Sequence, residues 1–355
     1  MDAVIIERIG ALGRIRLNRP AAINALTHDM VAVMDRALDD LEGDKTIAAI
    51  LLSGEGSRGL CAGGDIRSLW QAPRVVDGPS MAFWRDEYRL NARIARGPKP
   101  FIAFMDGLVM GGGVGIAAHA AHRIVTEHSK IAFPECGIGF VPDVGATWLL
   151  PRAPGATGLW MGLTGRSLGA ADAVWMGLAD CYMPAERLPD LVHLLAALPV
   201  AVDQGADVAA CLAALCRDPG PAPVAAQVGC INRAFAQASV SAIIASLAAE
   251  PGDFAAQCLA DLRAKSPTAL KLAFALYHRG KAVGRLEDAL ELEFAAARAL
   301  VTGHDLYEGI RAAVIDKDRK PVWRPAHLQD VSDDQIARAL VPADERVFVD
   351  REFGK

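Results

Sequence analysis

The chain has 355 residues, of which 52% are hydrophobic and 22% charged, and its formal net charge is −5. This content excludes an intrinsically disordered chain, which needs low hydrophobicity and high net charge to stay unfolded. A mild negative charge without a stripe of lysine and arginine argues against a nucleic-acid partner. Every apolar run falls short of the roughly 20 residues that span a bilayer, so we expect no membrane partner.

The cysteines and the N-terminal residues indicate a location inside the cell. Seven cysteines occur without a CxxC pair, a pattern that predicts free thiols and not a disulfide framework or a zinc site. The first twenty residues carry acidic side chains early and lack the features of a secretory signal or an acid-free presequence. We therefore expect a cytoplasmic protein.

The first half of the chain alternates strand-like and helix-like segments. A hairpin is predicted between Val4–Ile6 and Gly13–Leu17, and Thr27 has the residue type of a helix N-cap. Four apolar runs predict further strands: Ile47–Leu52, Phe101–Met105, Ile124–Thr126 and Lys130–Phe133. This succession predicts an α/β fold with a mostly parallel sheet.

After about Arg187 the composition becomes rich in alanine and leucine, without the alternation that strands show. Helices are expected at Leu188–Val202, Asp207–Cys216, Val240–Ala248, Ala269–Tyr277 and Leu286–Leu300. We therefore predict two domains, residues 1–187 with the functional site and residues 188–355 as a helical C-terminal region.

Two glycine-bearing segments follow predicted strands. Ala62-Gly63-Gly64-Asp65 comes after the first buried run, and Gly111-Gly112-Gly113 opens a predicted helix that runs to Ala121. Glycine permits a close backbone approach, and free amides at a helix start favour an anion. Two such loops could supply a two-donor oxyanion hole, whereas tight turns with purely steric glycines would give the same pattern.

A third segment, Phe133–Gly145, places Glu135 and Asp143 in an otherwise apolar stretch rich in glycine and proline. Carboxylates on apolar ground tend to have a raised pKa and to be functional, while capping of helix ends is the alternative role. The chain has no GxSxG motif for a serine nucleophile and no GxxxxGK[ST] phosphate loop. Glu135 and Asp143 are therefore the candidate acids of a site.

Taken in this order, the segments resemble the crotonase (enoyl-CoA hydratase/isomerase) superfamily. Asn18-Arg19-Pro20 and Asn24-Ala25-Leu26 resemble its N-terminal signature, and the two glycine segments resemble its oxyanion loops. The resemblance implies an α/β fold with a crotonase-like ββα spiral core, a helical C-terminal region and an acyl-CoA substrate. It also implies that the amides of Gly64 and Gly112 polarise the thioester carbonyl.

One departure separates the chain from the hydratases of this superfamily. Gly115 stands where a hydratase has its first glutamate, whereas Glu135 fills the second acidic position. Asp143 occurs where a hydratase usually has glycine. Pro134–Gly145 and Gly303–Pro325 instead resemble the 3-hydroxyisobutyryl-CoA hydrolase family, whose members act in valine breakdown.

The second resemblance implies hydrolysis of a short 3-hydroxyacyl-CoA, with 3-hydroxyisobutyryl-CoA as the expected substrate. Glu135 would attack the carbonyl or activate a water, Asp143 would assist proton transfer, and Glu87 would contact the 3-hydroxyl group. We expect no metal or redox cofactor, and relatives that form trimers suggest a homo-oligomer. Two alternatives remain open, an enoyl-CoA hydratase/isomerase that uses Glu135 as its sole acid/base and a non-catalytic acyl-CoA-binding subunit.

Overall fold

The computed structural model describes residues 2–200, 204–342 and 346–348, which divide into two compact units. Unit 1 comprises Met1–Gly64, Leu90–Ile131 and Leu168–Pro223, and unit 2 comprises Asp65–Arg89, Ala132–Ser167 and Val224–Lys355. Both units therefore draw on sequence from each side of residue 187. The predicted domains 1–187 and 188–355 stay a prediction, because compactness in the folded chain does not test which segments fold independently.

The described residues contain eight strands. They are β1 (Val4–Ile9), β2 (Leu12–Leu17), β3 (Ala49–Gly54), β4 (Phe101–Met105), β5 (Leu108–Met110), β6 (His122–Val125), β7 (Lys130–Ala132) and β8 (Cys181–Tyr182). Six strands form one sheet in the order β1-β2-β3-β4-β6-β8, and β5 pairs with β7 in a second, two-stranded sheet. In the larger sheet β1 and β2 are antiparallel and the other neighbours are parallel, so the predicted hairpin and mostly parallel sheet are confirmed.

The same part of the chain contains sixteen α-helices. They are α1 (His28–Gly43), α2 (Ile66–Gln71), α3 (Pro79–Arg96), α4 (Gly112–Gly115), α5 (Ala146–Leu149), α6 (Thr157–Thr164), α7 (Ala170–Trp175), α8 (Leu188–Ala196), α9 (Gln204–Leu215), α10 (Val228–Phe235), α11 (Val240–Ala249), α12 (Asp253–Arg263), α13 (Pro267–Gly280), α14 (Leu286–Leu300), α15 (His304–Ile310) and α16 (Asp333–Ala339). Among the residues described, no helix combines the length and the apolar content that a bilayer crossing demands.

The predicted helical character after residue 187 is confirmed, although some helix boundaries, both before and after that residue, differ from the predicted ones. The helix expected at Leu188–Val202 ends at Ala196, and the last two residues of that prediction lie outside the described residues. The helix expected to reach Ala121 ends at Gly115, because three of the four residues of α4 are glycines, which have low helix propensity. As predicted, Thr27 caps α1, since its hydroxyl accepts a hydrogen bond from the amide of Met30.

One part of the core of unit 1 lies between one face of the six-stranded sheet and the helices α8 and α9. The strands contribute alternate residues, because successive strand side chains point to opposite faces. The helices contribute residues three or four positions apart, which lie on one helix face. The buried side chains are Leu12, Ala49, Leu51, Ile102, Phe104, Ile124, Met183, Leu191, Leu195, Val208, Leu212 and Leu215.

The helices of unit 2 pack closely where glycines remove a side chain. A Cβ atom on Gly280 of α13 would lie 2.0 Å from the carbonyl oxygen of Thr147 in α5. A Cβ atom on Gly158 of α6 would lie 1.9 Å from the carbonyl oxygen of Leu150. The helices α13 and α14 both contact α5, so the C-terminal part of the chain supports the segment that follows Asp143.

Candidate active site

The first glycine loop, in unit 1, is held by the segment that precedes α1. The amide of Leu26 donates to the carbonyl oxygen of Gly63 at 2.8 Å, and the amide of Ala62 donates to that of Ile23 at 2.9 Å. Gly63 has a φ of +107°, a left-handed conformation that glycine adopts without strain. The amide of Gly64 donates no backbone hydrogen bond within the described part of the chain, whereas Ala62 and Gly63 beside it are held by the two hydrogen bonds above.

The second glycine loop, also in unit 1, joins β5 to α4. The carbonyl oxygen of Gly111 accepts hydrogen bonds from the amides of Val114 at 2.7 Å and Gly115 at 3.2 Å. Gly112 is the first residue of α4, so its amide has no partner inside the helix. Across residues 2–200, 204–342 and 346–348 this amide has no other backbone acceptor.

The two glycine loops are in direct contact. A Cβ atom on Gly63 would lie 3.7 Å from the amide nitrogen of Gly112. A Cβ atom on Gly113 would lie 2.4 Å from the carbonyl oxygen of Cys61, so a side chain at this position would force the loops apart. Unit 1 therefore holds two adjacent glycine loops, and among the described residues the amides of Gly64 and Gly112 have no backbone acceptor.

The three predicted acidic residues all belong to unit 2. Glu87 lies on α3, Glu135 begins a 3-10 helix (Glu135–Ile138), and Asp143 lies between that helix and α5. Their side chains are buried, with 2%, 6% and 4% of their surface exposed. Burial, and after it the charge of Asp143, raises the pKa of Glu87 and of Glu135 well above 4.5. The structure therefore brings the three carboxyl groups into one electrostatically linked cluster.

The carboxyl group of Asp143 also has a raised pKa. Burial raises its pKa from 3.8 to about 7, and a hydrogen bond from Tyr88 opposes that shift. Among the described residues, Oε1 of Glu87 and Oε2 of Glu135 have no hydrogen-bond partner. Buried oxygens without a partner are costly in free energy, so these two atoms are suited to contact a bound substrate or a reacting water.

The 3-10 helix that carries Glu135 is held by α15. A Cβ atom on Gly139, whose φ is +73°, would lie 2.3 Å from the carbonyl oxygen of Asp305. On the other side of this contact, a Cβ atom on Gly309 would lie 2.3 Å from the carbonyl carbon of Ile138. This close crossing of two backbones fixes the position of Glu135.

Sequence reasoning missed Tyr88 as a site residue. Its hydroxyl donates a hydrogen bond to Oδ2 of Asp143 at 2.7 Å, and both groups are buried. The missed signal was the helical period of α3, because Met81, Trp84 and Tyr88 recur at the three- and four-residue spacing of one buried face.

Sequence reasoning also missed Glu293 on α14. Its carboxyl group accepts hydrogen bonds from the amides of Gly145 at 2.8 Å and Thr147 at 2.6 Å. Burial, then the charge of Asp143, raises the pKa of Glu293 to about 8, and these amide bonds oppose the shift. The missed signal was its position in the apolar stripe of α14, which is formed by Leu286, Ala289, Leu290, Glu293, Ala297 and Leu300.

The backbone between Asp143 and α5 has an unusual conformation. Val144 has a φ of +53° and is fully buried, and Gly145 follows with a φ of +90°. A β-branched residue in the left-handed region is a strained outlier, and such strain persists only where its surroundings enforce it. The hydrogen bonds that the amides of Gly145 and Thr147 donate to Glu293 supply that constraint.

The sequence profile of the family described as Enoyl-CoA hydratase/isomerase matches residues 12–340 of this chain. A relative from Xenopus tropicalis, named 3-hydroxyisobutyryl-CoA hydrolase, mitochondrial, is 36% identical over 335 residues. The matched region covers 94% of this chain and 87% of that relative.

Two solved structures are similar along almost the whole chain. A structure titled as a carnitinyl-CoA dehydratase from Mycobacterium thermoresistibile is 39% identical with a TM-score of 0.90, and the match covers 99% of this chain and 100% of the other. A structure titled as an enoyl-CoA hydratase from Rhodobacter sphaeroides 2.4.1 is 42% identical with a TM-score of 0.87, covering 96% and 98%. The predicted fold class, a crotonase-like α/β core with a helical C-terminal region, is confirmed by these similarities.

The predicted cytoplasmic location is wrong. The Xenopus tropicalis protein and seven further vertebrate relatives at 34–36% identity are all named as mitochondrial, which contradicts the cytoplasmic prediction. The prediction failed because free cysteines indicate a reducing compartment without distinguishing one reducing compartment from another.

Proposed function

Since this chain belongs to the enoyl-CoA hydratase/isomerase family, we propose that it is an acyl-CoA thioesterase acting on a short 3-hydroxyacyl-CoA. The proposed substrate is 3-hydroxyisobutyryl-CoA, the compound that the names of the vertebrate relatives contain. The proposed role in valine catabolism rests on the family resemblance. One water would be consumed, its hydroxyl joining the acyl carbon and its proton ending on the thiol of coenzyme A.

One combination of residues supports this proposal: unit 2 contains two buried acids, and position 115 is a glycine. Glu135 and Asp143 are both buried, and the charge of Asp143 adds to the effect of burial on the pKa of Glu135. Gly115, at the position of the first hydratase glutamate, has no side chain to act as an acid. This combination favours hydrolysis by a Glu/Asp pair over addition of water across a double bond.

The two glycine loops would stabilise the negative charge that develops on the thioester oxygen. The amides of Gly64 and Gly112 donate to no other backbone group among the described residues and are carried by fixed backbone. Preorganised donors of this type contribute about 10²–10³ in rate each, because they need no rearrangement during the reaction. We therefore assign the oxyanion hole to these two amides.

Glu135 is proposed to supply the carboxylate that starts the reaction. In one route it attacks the acyl carbon, the C–S bond breaks, and a mixed anhydride forms that water then hydrolyses. In the other route it removes a proton from a water that attacks directly. In both routes Asp143 assists proton transfer, Glu87 contacts the 3-hydroxyl group, and no metal or redox cofactor takes part.

A hydratase or dehydratase using Glu135 is the second candidate. The titles of the two solved structures at 39% and 42% identity favour it, since they describe a dehydratase and a hydratase. The two candidates differ in one chemical product, because only hydrolysis releases the free thiol of coenzyme A.

The test compares two substrates in separate assays. We expect the protein to release thiol from 3-hydroxyisobutyryl-CoA, followed with a chromogenic thiol reagent, and to leave the enoyl absorbance of crotonyl-CoA unchanged. Asp143→Asn should lower thiol release at least a hundredfold, because the assisting carboxylate is removed. The matched control is Asp334→Asn, which changes an exposed side chain on α16 and should keep full activity.

Hydration of crotonyl-CoA without thiol release would reject hydrolysis and support the second candidate. Full thiol release by Asp143→Asn would show that hydrolysis occurs without the proposed Glu/Asp pair.

A further inference from the structure

Tyr88 is buried in unit 2 and its ring is held in place. The side chain is 0% exposed, and its ring meets that of Phe294 edge-on, with centroids 6.3 Å apart and planes inclined by 76°. A ring enclosed in this way has little freedom to turn, so the direction of its hydroxyl group is set by the fold.

The hydroxyl of Tyr88 is aimed at one carboxyl oxygen. It lies 2.7 Å from Oδ2 of Asp143, within the normal range of an O–H···O hydrogen bond. Burial, then the charge of Asp143, raises the pKa of Tyr88 well above 10. The phenol therefore stays protonated over the physiological pH range and acts as the donor.

The charge of Asp143 acts against the charged forms of the acids around it. Glu87 on α3, Glu135 on the 3-10 helix and Glu293 on α14 all lie close enough to share electrostatic interactions with it. Like charges in a buried cluster disfavour one another, so protons are retained on some members. The Tyr88 hydroxyl is the side-chain donor that favours ionisation of Asp143 in particular.

We propose that Tyr88 is a positioning residue that holds Asp143 as an oriented carboxylate, a role that rests on the proposed thioester hydrolysis. The hydrogen bond from Tyr88 engages Oδ2 of Asp143 and leaves Oδ1 as the oxygen for proton transfer. Because Tyr88 directly follows Glu87, α3 supplies both the proposed substrate contact and the group that prepares the acid.

The test is Tyr88→Phe, which keeps the ring and removes only the hydroxyl. Losing a hydrogen bond to a charged group should raise the pH of the acidic limb of kcat/KM by about one unit. At a pH below the acidic limbs of both the unmodified protein and Tyr88→Phe, the variant should have about a tenfold lower kcat/KM. This difference between the two proteins should shrink as the pH rises. Thermal unfolding of each variant checks that it is folded.

Tyr307→Phe is the matched control. Tyr307 is also buried in unit 2 and donates its hydroxyl at 2.9 Å, but the acceptor is the backbone carbonyl of Val301. This variant loses the same hydroxyl oxygen but keeps the hydrogen bond to Asp143. The acidic limb of its kcat/KM profile should therefore lie at the same pH as in the unmodified protein.

A second readout does not depend on activity. The Asp143 carboxyl is titrated by NMR in protein labelled with ¹³C-aspartate, and its signal is identified by its loss in Asp143→Asn. Its midpoint should move upward by about one pH unit in Tyr88→Phe and should not move in Tyr307→Phe. If the protein releases no thiol, the proposed hydrolysis fails while this titration still decides whether Tyr88 controls Asp143. An unchanged midpoint, or an unchanged acidic limb in an active enzyme, would overturn the proposal.

Discussion

Gly113 shows how a single missing side chain determines the geometry of the proposed oxyanion hole. A Cβ atom at this position would lie 2.4 Å from the carbonyl oxygen of Cys61 and 2.9 Å from its Cβ atom. The neighbour is backbone and not the flexible end of a side chain, so it cannot move aside cheaply. The adjacent amide of Gly112 would shift together with any displacement of the loop.

We predict that Gly113→Ala lowers both stability and activity. Overpacking against fixed backbone should lower the free energy of unfolding by about 1–3 kcal/mol. Displacement of the oxyanion donor should lower the rate of thiol release about a hundredfold, because such geometry tolerates little misplacement. Urea denaturation and the thiol assay measure the two effects.

Gly43→Ala is the control for this substitution. Gly43 ends α1, and a Cβ atom there meets nothing within 4 Å. It should therefore retain full activity and equal or greater stability. If Gly113→Ala behaved like Gly43→Ala, the two loops would not depend on this contact.

At the scale of elements, α14 reaches back to the segment before α5 through one side chain. Glu293 accepts two amide hydrogen bonds, and the residues it joins are 148 and 146 positions away in sequence. These bonds act on the backbone directly after the strained Val144, so α14 helps to determine where Asp143 points. The helical C-terminal region is in this way part of the site's support.

We predict that Glu293→Gln destabilises the protein although its size is unchanged. Its amide NH₂ group would face one of the two backbone amides, placing donor against donor in a buried position. The loss should be about 1–3 kcal/mol in the free energy of unfolding, with a lower rate of thiol release. Urea denaturation of Glu293→Gln is compared with Asp288→Asn, an exposed change on the same helix. Equal effects of the two substitutions would contradict the supporting role of Glu293.

At the scale of the whole molecule, the buried acids connect the site to the pH dependence of stability. Burial raises the pKa of Asp143 from 3.8 to about 7, so the folded chain binds this proton more tightly than the unfolded chain. Its contribution to stability is fully present below the unfolded pKa and is lost as the pH rises to about 7.

We predict that the stability difference between the unmodified protein and Asp143→Asn changes with pH. Between about pH 4 and 7 the unmodified protein should lose about 1.4 kcal/mol per pH unit relative to the variant, which has no proton to release here. Urea denaturation at pH 5, 6, 7 and 8 measures the difference. A flat or rising difference would show that burial does not raise the pKa of Asp143.

Much of the fold could be predicted because local patterns carry it. Apolar runs indicated β3 and β4, and the run at Phe101–Met105 has the strand boundaries that the structure gives to β4. The helix α14 likewise has the predicted limits Leu286–Leu300. Helix ends were less predictable. The glycines of α4 shorten that helix, and α8 ends at Ala196, whose carbonyl oxygen accepts a hydrogen bond from the distant amide of Ala11.

The sequence by itself determined the chemical groups of the candidate site. The glycine loops that contain Gly64 and Gly112, and the carboxylates Glu135 and Asp143, could be named because chemistry and backbone freedom belong to residue types, whereas Glu87 was named through the family resemblance. Only the tertiary structure decided which buried polar groups meet. Tyr88 and Asp143 are 55 positions apart, and periodicity shows that each faces the interior without showing what it faces. Hydrogen bonds are short-ranged and directional, so partners are selected by the packing of whole elements, which no local pattern contains.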